Sequence, residues 1–396
     1  MIAELLGNAE IVAAVHRIHP GGDAEECVAR AAWTVIAEPG DAVAGSLIGA
    51  FGAVEGLAAA GGAPGELLSP GGGTGVSSRA LGEARARWRL RARPAAVRSA
   101  ILGAREAGAR LVIPGDPQWP TSLDDLGPHA PTALWVRGRI ELLEASPRVS
   151  MVGARSASGY GEHVAAELAG DLASTGAVIV SGGAYGIDGA VHRAALGVDG
   201  ATIAFLAGGV DRAYPVGHRK LLEQIAEVGA VVSEPPCGTA PTKWRFLARN
   251  RLIAALGQAT VVVEAGWRSG SLNTAGHAAT LGRPLGAVPG PVTSASSAGC
   301  HRLLREYDAQ CVTSAREVRE LWGQLDQQPV VETERDPHRT RVLDAMNSRT
   351  RLSVEEIARR SGMSPGRVRS FLGLMQLEGE VELDTAGWHR APSPRK

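Results

Sequence analysis

Apolar positions along the chain follow two different periods. In the centre, short β-branched runs recur: Val149-Ser-Met-Val152, Val178-Ile-Val180, Thr202-Ile-Ala-Phe-Leu206, Val231-Val232, Thr260-Val-Val-Val-Glu264 and Leu285-Gly-Ala-Val288. Each is followed by glycine, serine or proline and then by a segment of helical period, such as 160–173 or 220–228. Continuous apolar strands alternating with amphipathic helices predict a parallel sheet covered on both faces. The expectation for residues 111–326 is therefore an α/β, Rossmann-like, doubly wound domain.

The flanks read differently. Between about residues 25 and 60 the pattern predicts short helices, with Asp41 as an N-cap and Leu47, Ile48 and Phe51 as an apolar stripe. The run from Ser46 to Glu55 is similar to small helix-hairpin-helix or SAM-type modules. A Gly/Pro linker, Gly61 to Gly75 with Pro70–Gly73 at its middle, closes a helical N-terminal domain expected at 1–75. Residues 76–110 read as connecting helices. From Ser77 to Arg110 they hold nine arginines and two glutamates, net +7, with Arg85, Arg87, Arg89, Arg91 and Arg93 alternating before Pro94. A solvated face or linker is the favoured reading, because Trp88 is the one aromatic among them; an accessory phosphate-binding surface is the alternative. After a polar linker at 327–336, residues 337–396 read as a winged helix. Its helices are expected at 339–346, 354–361 and 365–377, its wing at 380–383 and 388–390, with a Ser353/Glu356 capping box and Gly362 as helix stop. Protein contact is preferred over groove reading there, since the third helix carries only Arg367 and Arg369.

Charge narrows the partners. The 396 residues hold 41 Lys+Arg against 41 Asp+Glu, which excludes a uniformly basic coat and leaves room for a local basic site. Lys220, Lys243 and Lys396 are the only lysines. Charged residues, 21% of the chain, are spread among apolar ones, so wholesale disorder is not expected. Cys27, Cys237, Cys300 and Cys311 lie far apart, matching neither a disulfide framework nor a zinc ribbon. With no His/Cys/Asp cluster at metal spacing, neither metal nor cofactor is expected. The first twenty residues, with Glu4, Glu10 and His16, do not read as a signal peptide, and the uncharged stretch 284–300 is broken by proline and glycine. A cytoplasmic protein without a membrane partner is expected.

In an open parallel sheet, ligands bind beyond the carboxyl ends of the strands. The chain places there Gly153-Ala-Arg155-Ser156, Ser181-Gly182 with Tyr185 to Asp188, Ser233-Glu234-Pro-Pro236, Lys243 to Arg251, Arg268 to Thr274, and Pro289-Gly290. Three are glycine/serine turns entering helices, which suit a phosphate-bearing ligand. Neither G-x-G-x-x-G nor G-x-x-x-x-G-K-[ST] occurs at these turns. The run Lys243, Phe246, Arg249, Asn250, Arg251 combines cations with an aromatic, as a single-stranded nucleic acid requires. Phe246 as a core residue, and Arg249 and Arg251 paired with Glu234 or Glu264, are the structural alternatives.

These residues resemble the DNA-processing protein A (DprA, Smf) family. The resemblance rests on Pro131 to Gly138, Val152-Gly-Ala-Arg155, Ser181 to Asp188 with His192, Tyr214-Pro215, Ser233 to Pro236, Phe246 with Arg249-Asn-Arg251, Ser269-Gly-Ser with Thr274, and Pro289-Gly290, in order across about 110–310. It implies a non-enzymatic recombination mediator. Such a protein binds and protects incoming single-stranded DNA, forms a homodimer through the Rossmann-like domain and loads a RecA-type recombinase in natural transformation. It further implies DNA contacts at Gly153, Arg155, Ser181, Gly182, Lys243, Phe246, Arg249, Asn250, Arg251, Ser269, Gly270, Ser271 and Thr274. Gly183, Leu247 and Cys300-His301 depart from the family pattern, and His301 leaves that last turn's contact open.

The rival reading is a Rossmann-like nucleoside-phosphate (phosphoribo)hydrolase. Asp188, Glu234 and Glu264 all fall at strand ends, with His192 one turn beyond Asp188. The turn from Arg268 to Ala275 lacks the terminal glutamate of that family's P-G-G-x-G-T-x-x-E, and Asp188 is expected to be a helix-start carboxylate with His192 as its i+4 partner.

Overall fold

The computed structural model describes residues 1–61, 75–324, 337–347, 350–377, 379–384 and 387–391. Of the expected linker Gly61 to Gly75, residues 62–74 lie outside them, as does the expected linker 327–336. The chain forms two compact units, Met1–Leu325 and Asp326–Lys396.

A nine-stranded sheet organises the first unit. Its strands are β1 (Arg110–Val112), β2 (Leu134–Gly138), β3 (Arg148–Val152), β4 (Val178–Ser181), β5 (Thr202–Leu206), β6 (Ala230–Ser233), β7 (Ala259–Val262), β8 (Leu285–Ala287) and β9 (Gln310–Cys311). The order is β1-β2-β6-β5-β4-β3-β7-β8-β9. From β6 to β9 all neighbours are parallel, while β1 and β2 add an antiparallel edge. The six expected strands are present. β1, β2 and β9 are additions, the last too short and too exposed to announce itself as an apolar run.

Alternation along the central strands fills two cores. Val149, Met151 and Ile179 face the helices Gly159–Ser174 and Ile187–Gly197. Val152, Val178, Val180 and Phe205 face the other way, towards Leu252–Leu256 and Ala275. β3 starts the parallel sheet; β4 to β6 extend it one way and β7 to β9 the other. The crevice between the ends of β3 and β7 is therefore the topological switch point, where such sheets bind ligands.

The N-terminal helices do not form a domain apart. Trp33 packs edge-on against Trp88 at 5.3 Å, and its indole N–H donates to the Ala53 carbonyl. The same core takes in Leu81, Val97 and Ile101, and then Leu206 and Val231 of the sheet and Leu222 of the helix Arg219–Val228. The boundaries expected at 75/76 and 110/111 thus fall within one compact unit. The arginine-rich segment is not a connector: Leu81, Ala84 and Trp88 recur at helical spacing and bury one face of Ser78–Arg89. In the sequence, alternating arginines mask that spacing. Asp41 caps as expected, accepting from the Val43 and Ala44 amides. The apolar segment Ala42–Gly61 is broken at Gly52, whose φ of 83° lies in the left-handed region that glycine adopts freely.

The second unit has helices Pro337–Asp344, Val354–Ser361 and Pro365–Leu377 and a two-stranded wing, β10 (Val381–Asp384) and β11 (Gly387–Arg390). Val342, Ile357, Val368, Leu372 and Val381 make its core. Ser353 accepts from the Glu356 amide, and Gly362 closes the helix in the left-handed conformation. The Glu356 carboxylate takes Arg359 and Arg360.

Candidate nucleic-acid interface

At the switch point lies a cavity of about 670 Å³. Gly153, Ala154 and Arg155 enter it from the end of β3, Asp188 from the start of Ile187–Gly197, and Arg268 to Ser271 with Thr274 from the turn beyond β7. The helix Lys243–Leu256 supplies Phe246, Leu247, Arg249, Asn250 and Ile253. Thr242 caps that helix, its hydroxyl accepting from the Arg245 amide, and this fixes where the basic run begins.

Phe246 is half-buried and sits between two guanidinium groups. The Arg155 guanidinium carbon lies 4.7 Å from the ring centroid and that of Arg249 5.8 Å. Tyr214 meets the same ring at 5.4 Å. Arg155 is exposed, so its charge is available at the mouth of the cavity. Arg249 is buried and donates to the carbonyls of Gly182 and Phe205, both at 2.7 Å. A Cβ on Gly182 would stand 2.2 Å from that guanidinium, so the glycine there makes room for Arg249. Asn250 donates to the Asn273 side chain at 3.2 Å, and Ser269 and Ser271 share a hydroxyl–hydroxyl bond of 2.7 Å. These bonds fix the far wall.

Four of the thirteen expected contact residues lie elsewhere than the lining. Arg251 is engaged: its guanidinium donates to both oxygens of Glu234 at 2.8 Å and to the His129 carbonyl. The alternative of an ion pair with Glu234 is the one realised for Arg251, whereas Arg249 takes backbone carbonyls. Ser181 is fully buried and donates to the Met151 carbonyl at 2.6 Å. Gly182 acts through its carbonyl, behind Arg249. Lys243 is exposed at the first turn of its helix, outside the cavity lining. Arg268, Ser156, Ala295 and Ser296 line the cavity in addition. Arg268 directly precedes the Ser-Gly-Ser turn, a position that already marked it; Ala295 and Ser296 come from a loop with no charge or motif to single them out.

Two acids of the rival reading, Glu234 and Glu264, are held in structural roles. Glu234 is clipped by Arg251 and also accepts from the Gly40 amide. Glu264 accepts from the amide and hydroxyl of Ser158. Asp188 does face the cavity. Its burial pushes the carboxyl above the usual range, opposed by the positive charge of Arg249. His192 is not its i+4 partner: it is fully buried and bonds Thr202 Oγ1 at 2.7 Å.

Burial lowers the His192 imidazole from its ordinary 6.5 to about 3. The unfolded chain therefore takes up a proton below pH 6.5 that the folded chain refuses until about pH 3. Stability should fall with acid across that window, by up to about 1.4 kcal/mol per pH unit from this group. Urea unfolding at several pH values checks it: His192→Gln should remove one proton's worth of that dependence, and an unchanged slope would refute the assignment.

The sequence profile described as DNA recombination-mediator protein A matches residues 110–323, and that of the DprA winged helix domain matches 326–386. A putative DNA processing protein DprA of Mycobacterium tuberculosis is 44% identical over 304 residues, covering 71% of this chain and 77% of that protein. The DNA processing protein DprA of Streptococcus pneumoniae is 42% identical over 193 residues, 48% of this chain and 66% of that protein. The X-ray structure of DNA processing protein A from Streptococcus pneumoniae superimposes with a TM-score of 0.55 and 34% identity, over 64% of this chain and 85% of that one.

Proposed function

Because this chain belongs to the DNA recombination-mediator protein A family, we propose that it is a DNA-processing protein that binds single-stranded DNA in the switch-point cavity. One observation carries the reading: an exposed guanidinium, Arg155, lies against the ring of half-buried Phe246 beside the Ser-Gly-Ser turn. A phosphate would pair with Arg155 while an unpaired base stacks on or beside the ring, at about 1–3 kcal/mol per base. Gly153, Ser269, Gly270, Ser271 and Thr274 would offer backbone and hydroxyl contacts to the strand. Arg249 and Asn250 would hold the wall. Lys243 would meet the strand at the mouth. Arg251, Ser181 and Gly182 support the site from behind.

The reading includes no catalysis. The engagement of Glu234 and Glu264 supports this, since neither carboxylate is left to serve as a general acid or base. In keeping with the family resemblance, the protein would form a homodimer through the Rossmann-like domain. In the cytoplasm it would protect incoming strands and hand them to a RecA-type recombinase during natural transformation. The winged helix would recruit a protein partner.

A filter-binding series over salt tests the site. With about four phosphates neutralised, log K should fall against log salt with a slope near roughly −3 for a single strand. Lys243→Ala should make the slope shallower by about 0.7 and leave thermal unfolding unchanged. Unchanged affinity in both Lys243→Ala and Arg155→Ala would sink the site. Release of base from a nucleoside monophosphate, abolished by Asp188→Asn, would instead establish the hydrolase.

A further inference from the structure

The cavity has a neighbour on the same compact unit that the site above does not use. Trp244, directly after Lys243, is 79% exposed. One residue further, Arg245 donates two hydrogen bonds of 3.0 Å to the Glu38 carboxylate. The same carboxylate takes Arg91 at 2.6 Å. Glu38 thus ties the first turn of the cavity helix to the arginine-rich segment, and a recess of about 290 Å³ lies between them, with Arg91, Ser99, Thr239 and Arg245 in its lining.

The burial of Leu81, Ala84 and Trp88 decides which arginines face outwards. Arg87, Arg89, Arg91 and Arg93 are all exposed. Asp41 lies 3.5 Å from Arg87, but its side chain is only 10% exposed and it also accepts from the Trp88 indole. Among the described residues Arg89 and Arg93 have no carboxylate partner. A mere solvated helix face accounts for the arginines. It does not account for an indole left exposed beside a lysine in the first turn of the cavity helix, next to the residue that Glu38 ties to this surface.

Resting on the single-stranded DNA reading above, we infer that the strand leaves the cavity over Lys243 and Trp244 and continues along Arg87, Arg89, Arg91 and Arg93 as a second phosphate track. The indole stacks an unpaired base while the guanidinium groups follow the backbone, the combination that binds single strands without sequence preference. A duplex offers no unpaired base to Trp244, so the indole adds affinity only for single strands. The track lengthens the footprint and leaves the chemistry of the cavity unchanged.

Oligothymidylates of about 6 and about 20 nucleotides bracket the ~4–16 nucleotides that a single-stranded site typically spans. The full-length protein is compared with Trp244→Ala and with Arg89→Ala/Arg93→Ala, all exposed positions. Each variant should lose about tenfold in affinity for the long strand and nothing for the short one. The double arginine variant should make the long strand's salt slope shallower by about 1.4. If both strands lose equally, or neither changes while Arg155→Ala still weakens both, the track is wrong and the cavity stands. If the unmodified protein binds neither strand, both readings fall.

Discussion

Glu234→Ala is expected to destabilise the first unit by about 3–5 kcal/mol, as removal of one partner of a buried ion pair does. Both side chains are almost wholly enclosed, at 6% exposure for Arg251 and 7% for Glu234. The carboxylate accepts two guanidinium bonds of 2.8 Å and the Gly40 amide, while Arg251 also reaches the His129 carbonyl. One pair therefore joins the end of β6, the cavity helix, the N-terminal helices and the loop before β2. The deletion leaves a buried guanidinium without its counter-charge, which costs far more than the pair itself contributes. Chemical denaturation should show a lower midpoint. A Glu234→Leu/Arg251→Met double variant should recover most of the loss, because it removes both charges at once. A Glu234→Ala protein as stable as the parent would show that the clip contributes nothing. The same experiment bears on Arg251 as a DNA contact: its loss should weaken binding only as far as it loosens the fold.

Arg155→Ala and Phe246→Ala should each cut affinity for single-stranded DNA by roughly 10- to 100-fold, at about 1.5–3 kcal/mol for a charge-assisted contact and about 1–3 kcal/mol for a stacked base. The two should not add. The guanidinium rests 4.7 Å from the ring centroid, so removal of either disturbs the other's position. A double-mutant cycle by filter binding measures the coupling, and thermal unfolding of Arg155→Ala should match the parent because that side chain is exposed. Simple additivity would place the two groups in separate contacts. Unaltered binding in both single variants would move the DNA to another surface.

Much of the fold is legible in the residues themselves. β-branched runs bounded by glycine and serine give the strands, and their alternation with helices of period 3.6 gives the parallel, doubly wound sheet. The three turns at its carboxyl edge follow from that, and so does the position of the cavity. The winged helix shows equally in its cap, turn and wing. These features are local: each depends on residues a few positions apart.

Only the tertiary structure decides which cation faces which way. Arg249 and Arg251 are two residues apart, about 200° around a helix of 3.6 residues per turn. When one lies over Gly182 and the cavity wall, the other must point away, and there it finds Glu234 of a distant strand end. A linear motif cannot contain that phase, because it is set by how the helix rests on the sheet. The same holds for the arginine-rich segment. The sequence shows its charge, but burial of Leu81, Ala84 and Trp88 in the N-terminal core turns its arginines outwards, and Glu38 brings them beside the cavity helix. Local spacing determined the elements and the sheet edge; long-range packing selected the side chains that reach the cavity.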